Sequence, residues 1–520
     1  MFSHKRSRKG ANVACIFVHA GAGYHSEQNE HIHLTACNEW FSAATAAMMV
    51  LRAGGIATDA VETAIRVLED REITNAGYGS NLALDGVVEC DAVMVDHLGR
   101  SGACGAVAQI KNPISLARVI LDRTTEQLSL RRVPPNLLVG QGATDFAADF
   151  AMPVLPHDAL ISPNARDRWI RWKLDLLATK RRIFQNPMAA PTLSLAALRL
   201  ARNQTACSHP QVINSLCLLH RHHRNTRKES TALELANGQL SQAESLSSVN
   251  RNDDLTAVTA PHVEIEMSDV DDEDGPMRMS NESSQSTATS LQLPSLTPSP
   301  EPQIRAKPGS HSEITADDRV ELGTSASPHQ GDHITDTVGA IAIDVYGNIA
   351  CGASSGGIGM KHRGRLGPAA LVGVGAAVVP IDPDDRNQTC VAVVTSGTGE
   401  HMATTMAATM FSERLYTGVK KMKGGGLIEC EDDDEIIRNV VEKEFMGHPS
   451  VQNSNSNGAI GVLCVKKTKD GINLHFAHNT DSFAIASQNA DEHRPVSTMS
   501  RSQGNGMVAL GGRPMRPRRR

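Results

Sequence analysis

The chain has 520 residues, 40% of them hydrophobic and 21% charged, with a formal net charge of −6. That balance fits a globular protein and excludes a general nucleic-acid coat, which would be strongly basic. Aromatic residues are only 3% against 42 glycines, so a core must be built from Ala, Val, Leu and Ile with closely approaching backbones.

Residues 12–19 (Asn-Val-Ala-Cys-Ile-Phe-Val-His) read as a buried strand ending in Ala-Gly-Ala-Gly. The first ten residues are basic but lead only into this short apolar run, so neither a secretory leader nor a membrane span is expected. Helices are predicted over 35–53, stopped by Gly54-Gly55, and over 59–70. In the second, Thr58 is the candidate N-cap, and Ala60, Val61, Ala64, Val67 and Leu68 form one apolar face. A Gly/Asn loop and two short strands follow over 73–96. Residues 112–122 and 139–150 read as further helices. The basic stretch 167–182 spaces Trp169, Trp172 and Leu176 three and four residues apart, as the buried stripe of another helix.

From 183 the pattern weakens, and over 227–335 it fails. Ser, Thr, Pro and acidic residues dominate there, with the run Ser-Asp-Val-Asp-Asp-Glu-Asp at 268–274. Such a segment buries too little apolar surface to offset an ordering cost of about 1–2 kcal/mol per residue. Residues 183–335 are therefore expected to be a largely disordered insertion between a first core piece, 10–182, and a second, 337–495. Order returns abruptly at Thr337. Two strands flank the turn Asp344–Asn348, a glycine-rich loop spans 354–359, and a strand covers 390–395. A Met/Ala-rich helix is predicted over 400–414 and closing strands over 458–466 and 472–486. The acidic run 429–435 reads as a surface loop, and 496–520 as a basic tail. The sum is an α+β layered fold with sheets inside.

The ten cysteines form no Cys-x-x-Cys pair, and most sit among small or apolar residues. Reduced, buried thiols in the cytoplasm or nucleus are expected. Cys207, Cys217, His220, His222 and His223 lack zinc-finger spacing, so no metal is expected. The glycine runs of 356–367 have no βαβ unit around them, and no cofactor is expected. Basic clusters at 5–9, 180–182 and 518–520 are either nuclear signals or solvated charge.

Asp336-Thr337 stands on the boundary between the two regimes. Its threonine is either the first residue of a strand or a nucleophile. A neutral hydroxyl is a weak nucleophile and needs a base beside it. If the preceding peptide bond breaks, the freed α-amine has a reference pKa of about 7.7–8.0, suited to general-base work near neutrality.

Several motifs carry a family resemblance. They are Val18-His-Ala-Gly-Ala-Gly-Tyr-His-Ser26, Thr74-Asn-Ala-Gly-Tyr-Gly-Ser-Asn81, Glu89-Cys-Asp-Ala92, Ile110-Lys-Asn-Pro-Ile114, Asp336-Thr-Val-Gly-Ala340, Ala353-Ser-Ser-Gly-Gly357 and Lys361-His-Arg-Gly-Arg-Leu-Gly367. In this order they resemble the threonine-type N-terminal nucleophile hydrolases of the plant-type asparaginase superfamily, and within it the threonine aspartase branch. The resemblance covers roughly 12–182 and 336–490. It implies a four-layer αββα sandwich and self-cleavage between Asp336 and Thr337, with both fragments staying associated and two αβ units pairing. It further implies Thr337 as nucleophile, Ser355 as a second hydroxyl beside it, and Ser396 and Gly397 as the oxyanion hole, where one donor can be worth about 3 kcal/mol. Arg365 and Gly367 match the substrate-binding segment, the arginine holding a carboxylate through its planar fork. Asn75 is expected to support the loop near the site.

One position departs from the small-substrate asparaginases. Those carry an aspartate three residues after the arginine, to bind the substrate's free α-ammonium; here the residue is Pro368. Ser355 likewise stands where asparaginases carry threonine. Both changes favour cleavage after an aspartate inside a protein chain, with no nucleic-acid or membrane partner. An asparaginase or isoaspartyl dipeptidase, and an uncleaved scaffold that recruits partners, are the alternatives.

Overall fold

The strand that begins at Thr337's neighbour is the centre of the molecule. In the computed structural model, which describes residues 13–23, 30–185, 336–502 and 506–515, β5 (Val338–Ile343) lies between β1 (Cys15–Gly23) and β6 (Ile349–Ser355). The larger sheet continues through β2 (Cys90–Val95), β3 (Ser101–Val107) and β4 (Leu137–Val139) on one side, and β13 (Ser482–Asn489) and β14 (Val496–Arg501) on the other. Its order is β14-β13-β1-β5-β6-β2-β3-β4, antiparallel except for β3–β4. A five-stranded antiparallel sheet runs β15-β12-β11-β8-β7. It is built from β7 (Ala376–Val379), β8 (Cys390–Gly397), β11 (Ile460–Thr468), β12 (Gly471–His478) and β15 (Ala509–Met515).

Alternation along each strand sorts the core into three layers. Even-numbered Val338, Ala340 and Ala342 of β5 face outward onto the helices α1 (Glu30–Arg52), α2 (Ala57–Glu69) and α3 (Pro113–Arg123). Odd-numbered Ile341 and Ile343 face inward and meet Ala392 and Val394 of β8 between the two sheets. Val391 and Val393 of β8 point the other way, onto α7 (Ala407–Thr417) and α8 (Asp433–Asn439), with a π-helical turn at Val440–Phe445. Helices, sheet, sheet, helices is the four-layer αββα order, and the fold is α+β.

Several boundaries differ from the sequence expectation for identifiable reasons. The second helix begins at Ala57, so Thr58 lies inside it rather than at its cap. The Asp344 carboxylate, from the β5–β6 turn, accepts from Ala57 N–H (3.2 Å), and Asp59 accepts from Ile56 N–H (3.2 Å). Remote and local carboxylates together thus replace the threonine. The predicted 400–414 helix is two helices, α6 (Gly399–Thr404) and α7, broken where Met406 takes a left-handed φ of 50°. The acidic run 429–435 is not a loop: Asp432 caps α8, accepting from Asp434 and Glu435 N–H. Within 496–520, residues 496–501 and 509–515 are the edge strands β14 and β15. The 186–335 part of the expected insertion, the Cys/His group at 207–223 and the basic clusters at 5–9 and 518–520 lie outside the described residues.

Cys15, Cys90, Cys104, Cys351, Cys390 and Cys464 are free and buried. Among the described residues no helix is long and apolar enough to cross a membrane, and none of their His, Cys, Asp and Glu form a metal-binding group.

One buried carboxyl ties three elements together. Glu69 Oε1, at the end of α2, accepts from Ile114 N–H (3.0 Å) at the start of α3 and from the Ser354 hydroxyl (2.6 Å) in β6. Burial holds this carboxyl up to about 8. An unfolded glutamate titrates near 4.3, so between those values the folded chain binds the extra proton and stability falls as pH rises. Glu69→Gln is expected to remove that fall: denaturant unfolding of wild type loses stability from pH 5 to pH 8, and the variant loses distinctly less.

Candidate active site

The same alternation that sorts the core also gathers three hydroxyls. Val338 pairs with Ser354 across β5–β6, and the next step along this register brings Thr337 level with Ser355. Ser354 is on the outer face, where it meets Glu69, so Ser355 faces inward. Thr337, one residue before outward-facing Val338, faces inward as well. Ser396 of β8 has the parity of inward-facing Ala392 and Val394 and faces them from the second sheet. All three are buried, at 3%, 2% and 0% exposure, so their chemistry is screened from bulk water.

Ser396 Oγ accepts from Thr337 N–H (3.3 Å) and from Ala22 N–H (3.2 Å). A hydroxyl has two acceptor positions and one donor. With both acceptor positions taken, its proton is left to donate to a third group. Gly397 ends β8 opposite Ile460 of β11, so it is fixed by sheet pairing. Asp336 is packed against Gly21, where a β-bulge between His19 and Ala22 turns β1. Gly21 has φ 116°, and a Cβ there would fall on the Asp336 side chain, so glycine is needed both for conformation and for space. His19 lies beneath, stacked at 5.4 Å on Phe483, and burial lowers its imidazole to about 3, which keeps it neutral.

The loop after β6 is held by amides. Asn75 is fully buried: its Nδ2 donates to Gly357 O (2.8 Å), its Oδ1 accepts from Asn81 N–H (2.9 Å), and its carbonyl accepts from Gly356 N–H (2.7 Å). The loop in turn donates Gly357 N–H to Ser355 Oγ (3.0 Å). Asn75 thus touches the loop and not Thr337's own hydrogen bonds.

Arg365 leaves this loop and points along the inner edge of α6. Its Nε and Nη2 donate to Glu400 Oε1 at 3.0 and 2.9 Å. Arg365 is mostly enclosed whereas Glu400 is 61% exposed, so the pairing partner sits at the mouth. Gly399 gives the guanidinium its room: a Cβ there would stand 2.6 Å from Nη2 and 2.8 Å from Cδ of Pro368. Gly367 N–H donates to Asp91 Oδ2 (2.7 Å), while Oδ1 accepts from Ala106 N–H (2.8 Å). Burial pushes the Asp91 carboxyl up, and the nearby Lys361 charge opposes that shift. Lys361 is itself buried and donates to Glu89 O (2.7 Å).

Register therefore brings Thr337, Ser355 and Ser396 to the faces between the two sheets; Arg365 and Gly367 follow on the loop after Ser355, the first held on Glu400 and the second on Asp91, and Asn75 supports that loop. Sequence reasoning missed Glu400 and Asn81 as site neighbours. It quoted Asp91 within a motif without a role. Glu400 had a signal, since it closes the run Thr395-Ser-Gly-Thr-Gly-Glu400 directly after the two oxyanion candidates.

The asparaginase family profile matches residues 12–194 and 267–425, more than half the chain. The chain belongs to the asparaginase family. That family is one of N-terminal nucleophile hydrolases. It is similar to isoaspartyl peptidase/L-asparaginase of Xenopus laevis, 37% identical over 157 residues, which is 30% of this chain and 47% of that protein. The same-named protein of Rattus norvegicus is 41% identical over 139 residues, 26% of this chain and 39% of the relative. That of Homo sapiens is 37% identical over 156 residues, covering 29% and 46%. The chain thus spans less than half the length of each of these relatives.

Asn75→Ala removes the amide that holds Gly357 O and Asn81 N–H in a buried loop. Stranding such groups costs about 1–3 kcal/mol. The expected result is a lowered Tm and faster hydrogen exchange confined to residues 75–81 and 355–360.

Proposed function

We propose that this asparaginase-family hydrolase is a self-cleaving threonine endopeptidase of the threonine aspartase (taspase) type. It cuts its own Asp336–Thr337 bond and then hydrolyses protein substrates after aspartate. The observation that carries the reading is Pro368 standing beside the Arg365 guanidinium. The arginine can bind an aspartate side chain, but the proline offers no charge to an α-ammonium. An aspartate within a polypeptide has no such ammonium. The partners that follow are protein substrates with an internal aspartate, the two fragments of this chain, and a second αβ unit.

In the first reaction the Thr337 hydroxyl oxygen attacks the Asp336 carbonyl carbon. The carbon–nitrogen bond breaks, the nitrogen takes the proton, and an ester joins Asp336 to Thr337 Oγ1. Water opens the ester and leaves a free α-amine on Thr337. In the second, that amine takes the hydroxyl proton while the oxygen attacks the substrate aspartate's main-chain carbonyl carbon. The scissile carbon–nitrogen bond breaks, the leaving nitrogen takes the proton from the Thr337 ammonium, and water then opens the acyl ester, releasing the aspartate end and restoring the hydroxyl. Ser396 O–H, whose acceptor positions are filled, and Gly397 N–H stabilise the oxyanion. Arg365 binds the substrate side chain after exchanging Glu400 for it.

The second reading, an isoaspartyl peptidase or asparaginase, is favoured by the names of the relatives. It differs in needing a group for the α-ammonium. Purified chain offered an internal-aspartate peptide, a β-aspartyl dipeptide and asparagine separates the two: the proposal expects peptide cleavage after aspartate and little release from the small substrates. Pro368→Asp should shift that preference toward the small substrates. Denaturing mass analysis should find wild type split with a new end at Thr337 and Thr337→Ala intact; an intact wild type removes self-cleavage. Because the base is an α-amine, the rate should rise with pH toward its pKa of about 7.7–8.0 and level off above it. The Arg365–Glu400 pair is exposed on the Glu400 side, and such pairs are worth about 0.2–1 kcal/mol, so Glu400→Gln should lower KM by no more than roughly fivefold.

A further inference from the structure

Helix α5 (Pro163–Gln185), read from sequence as a basic helix with a buried stripe, is docked on the loops that carry the site. Trp169 Nε1 donates to Ala83 O (2.9 Å) and Lys173 Nζ to Leu84 O (2.7 Å). Trp172 lies against Gly359 so closely that any Cβ there would overlap its ring. Deepest in this contact is Arg168, 6% exposed. Its Nε and Nη2 donate to Asn81 Oδ1 at 3.3 and 3.1 Å, and Nη2 also to Gly79 O at 3.2 Å. All these acceptors are neutral. Burying a guanidinium on neutral acceptors is unfavourable, and burial lowers its pKa accordingly. Packing alone would be better served by an apolar side chain, so a directional role is the alternative to examine.

The direction is clear from the amide. Taking both guanidinium donors on Oδ1 fixes which way the Asn81 amide faces. Its Nδ2 then points to Gly357 O, at 3.3 Å. Gly357 O is also the acceptor of Asn75, and Gly357 N–H is the donor to Ser355 Oγ. We propose that Arg168 is a positioning residue that, through Asn81 and the two peptide groups flanking the Gly357 α-carbon, sets the orientation of the Ser355 hydroxyl beside the nucleophile. The proposal rests on the reading of Thr337 and Ser355 as the reacting pair. Arg168 touches none of the reacting atoms: its partners are Asn81 Oδ1 and Gly79 O.

The test uses the full chain. Arg168→Met removes the fork. Arg168→Lys restores a single donor. Asn81→Asp keeps an acceptor for Arg168 and removes the donor to Gly357. One lost hydrogen bond of about 1 kcal/mol corresponds to roughly fivefold in rate, so kcat on an internal-aspartate peptide should fall fivefold or more in Arg168→Met and Asn81→Asp. KM should change less than about twofold, and Arg168→Lys should recover part of kcat. Hydrogen exchange of the Gly356–Ile358 amides, which needs no substrate, should rise in the same two variants while the remaining sheet amides stay protected. Unchanged kcat with unchanged exchange overturns the proposal. So does a loss of kcat accompanied by exchange raised throughout the molecule, because that is a folding defect: a smaller folded fraction lowers apparent kcat and leaves KM unchanged. If wild type cleaves no aspartyl substrate but the exchange pattern appears, the functional reading fails and the positioning of the loop stands.

Discussion

Strand register is the constraint on which everything else in this molecule depends. Side chains alternate across a strand with period two, so a one-residue slip of β5 would exchange Ile341 and Ile343 for Ala340 and Ala342 in the inter-sheet core. It would also turn Thr337 out onto the helix layer. Core and site are therefore specified by the same choice. The β5–β6 turn fixes that choice: Asp344 accepts from Tyr346 and Asn348 N–H at 2.9 and 3.0 Å and from Ala57 N–H, so turn, hairpin and helix α2 share one carboxylate. The low aromatic content fits the same scheme. The inner faces are made largely of Ala, Val, Ile and Cys, which lets most of the two sheets approach closely, with Phe17 and Phe483 the fully buried rings between them.

Buried polar groups then position what the register brings together. Glu69, Asp91, Asn75 and Asn81 all come before Asp336 in the chain, and each bonds backbone or hydroxyl groups of the segment after Thr337. Leaving any of these acceptors or donors unpaired in a dry interior costs more than the bond itself contributes. This gives the loop from Ser355 to Gly367 one geometry in spite of its glycines. The glycines serve the neighbours: a Cβ at Gly359 would take the space of Trp172, and one at Gly357 or Gly367 would crowd the Arg365 guanidinium.

The sequence made a good part of this legible, unevenly. Period-two alternation around Asp344–Asn348 located the central hairpin, and helix patterning located α2, α3, α4 (Gly140–Asp149) and α5 to within a few residues. Local signals failed where a partner came from far along the chain. Thr58 is a sound N-cap by composition, but Asp344, distant in sequence, holds the first turn instead. Met406 splits a helix that Ala and Met would continue; just past it the N–H groups of Ala408 and Thr409 donate to Val374 O (3.2 Å) and Gly373 O (2.8 Å), partners remote in sequence. Asp432 gave a capping signal that the density of negative charge around it masked. The family motifs identified the residues that converge at the site. No motif or periodicity pointed to Arg168, because a buried arginine whose acceptors are neutral looks in sequence like any basic helix residue.

The topology bears on what a cut at Asp336–Thr337 would do. β1, from before the bond, is paired on one side with β5 and on the other with β13, both from after it. β2, again from before, pairs with β6. The eight-stranded sheet thus interleaves the two segments, and its outer and inner cores take residues from both. Separating them would break three strand ladders and expose two apolar faces, a cost far above the stability of an ordinary domain. A break in the chain removes none of those contacts. What it releases is local: Asp336 leaves the pocket against Gly21, and the Thr337 nitrogen, already 3.3 Å from Ser396 Oγ, gains a lone pair without having to move. The fold is therefore suited to carrying a break at that one bond, because the residues around Thr337 are held by the sheet and not by chain continuity.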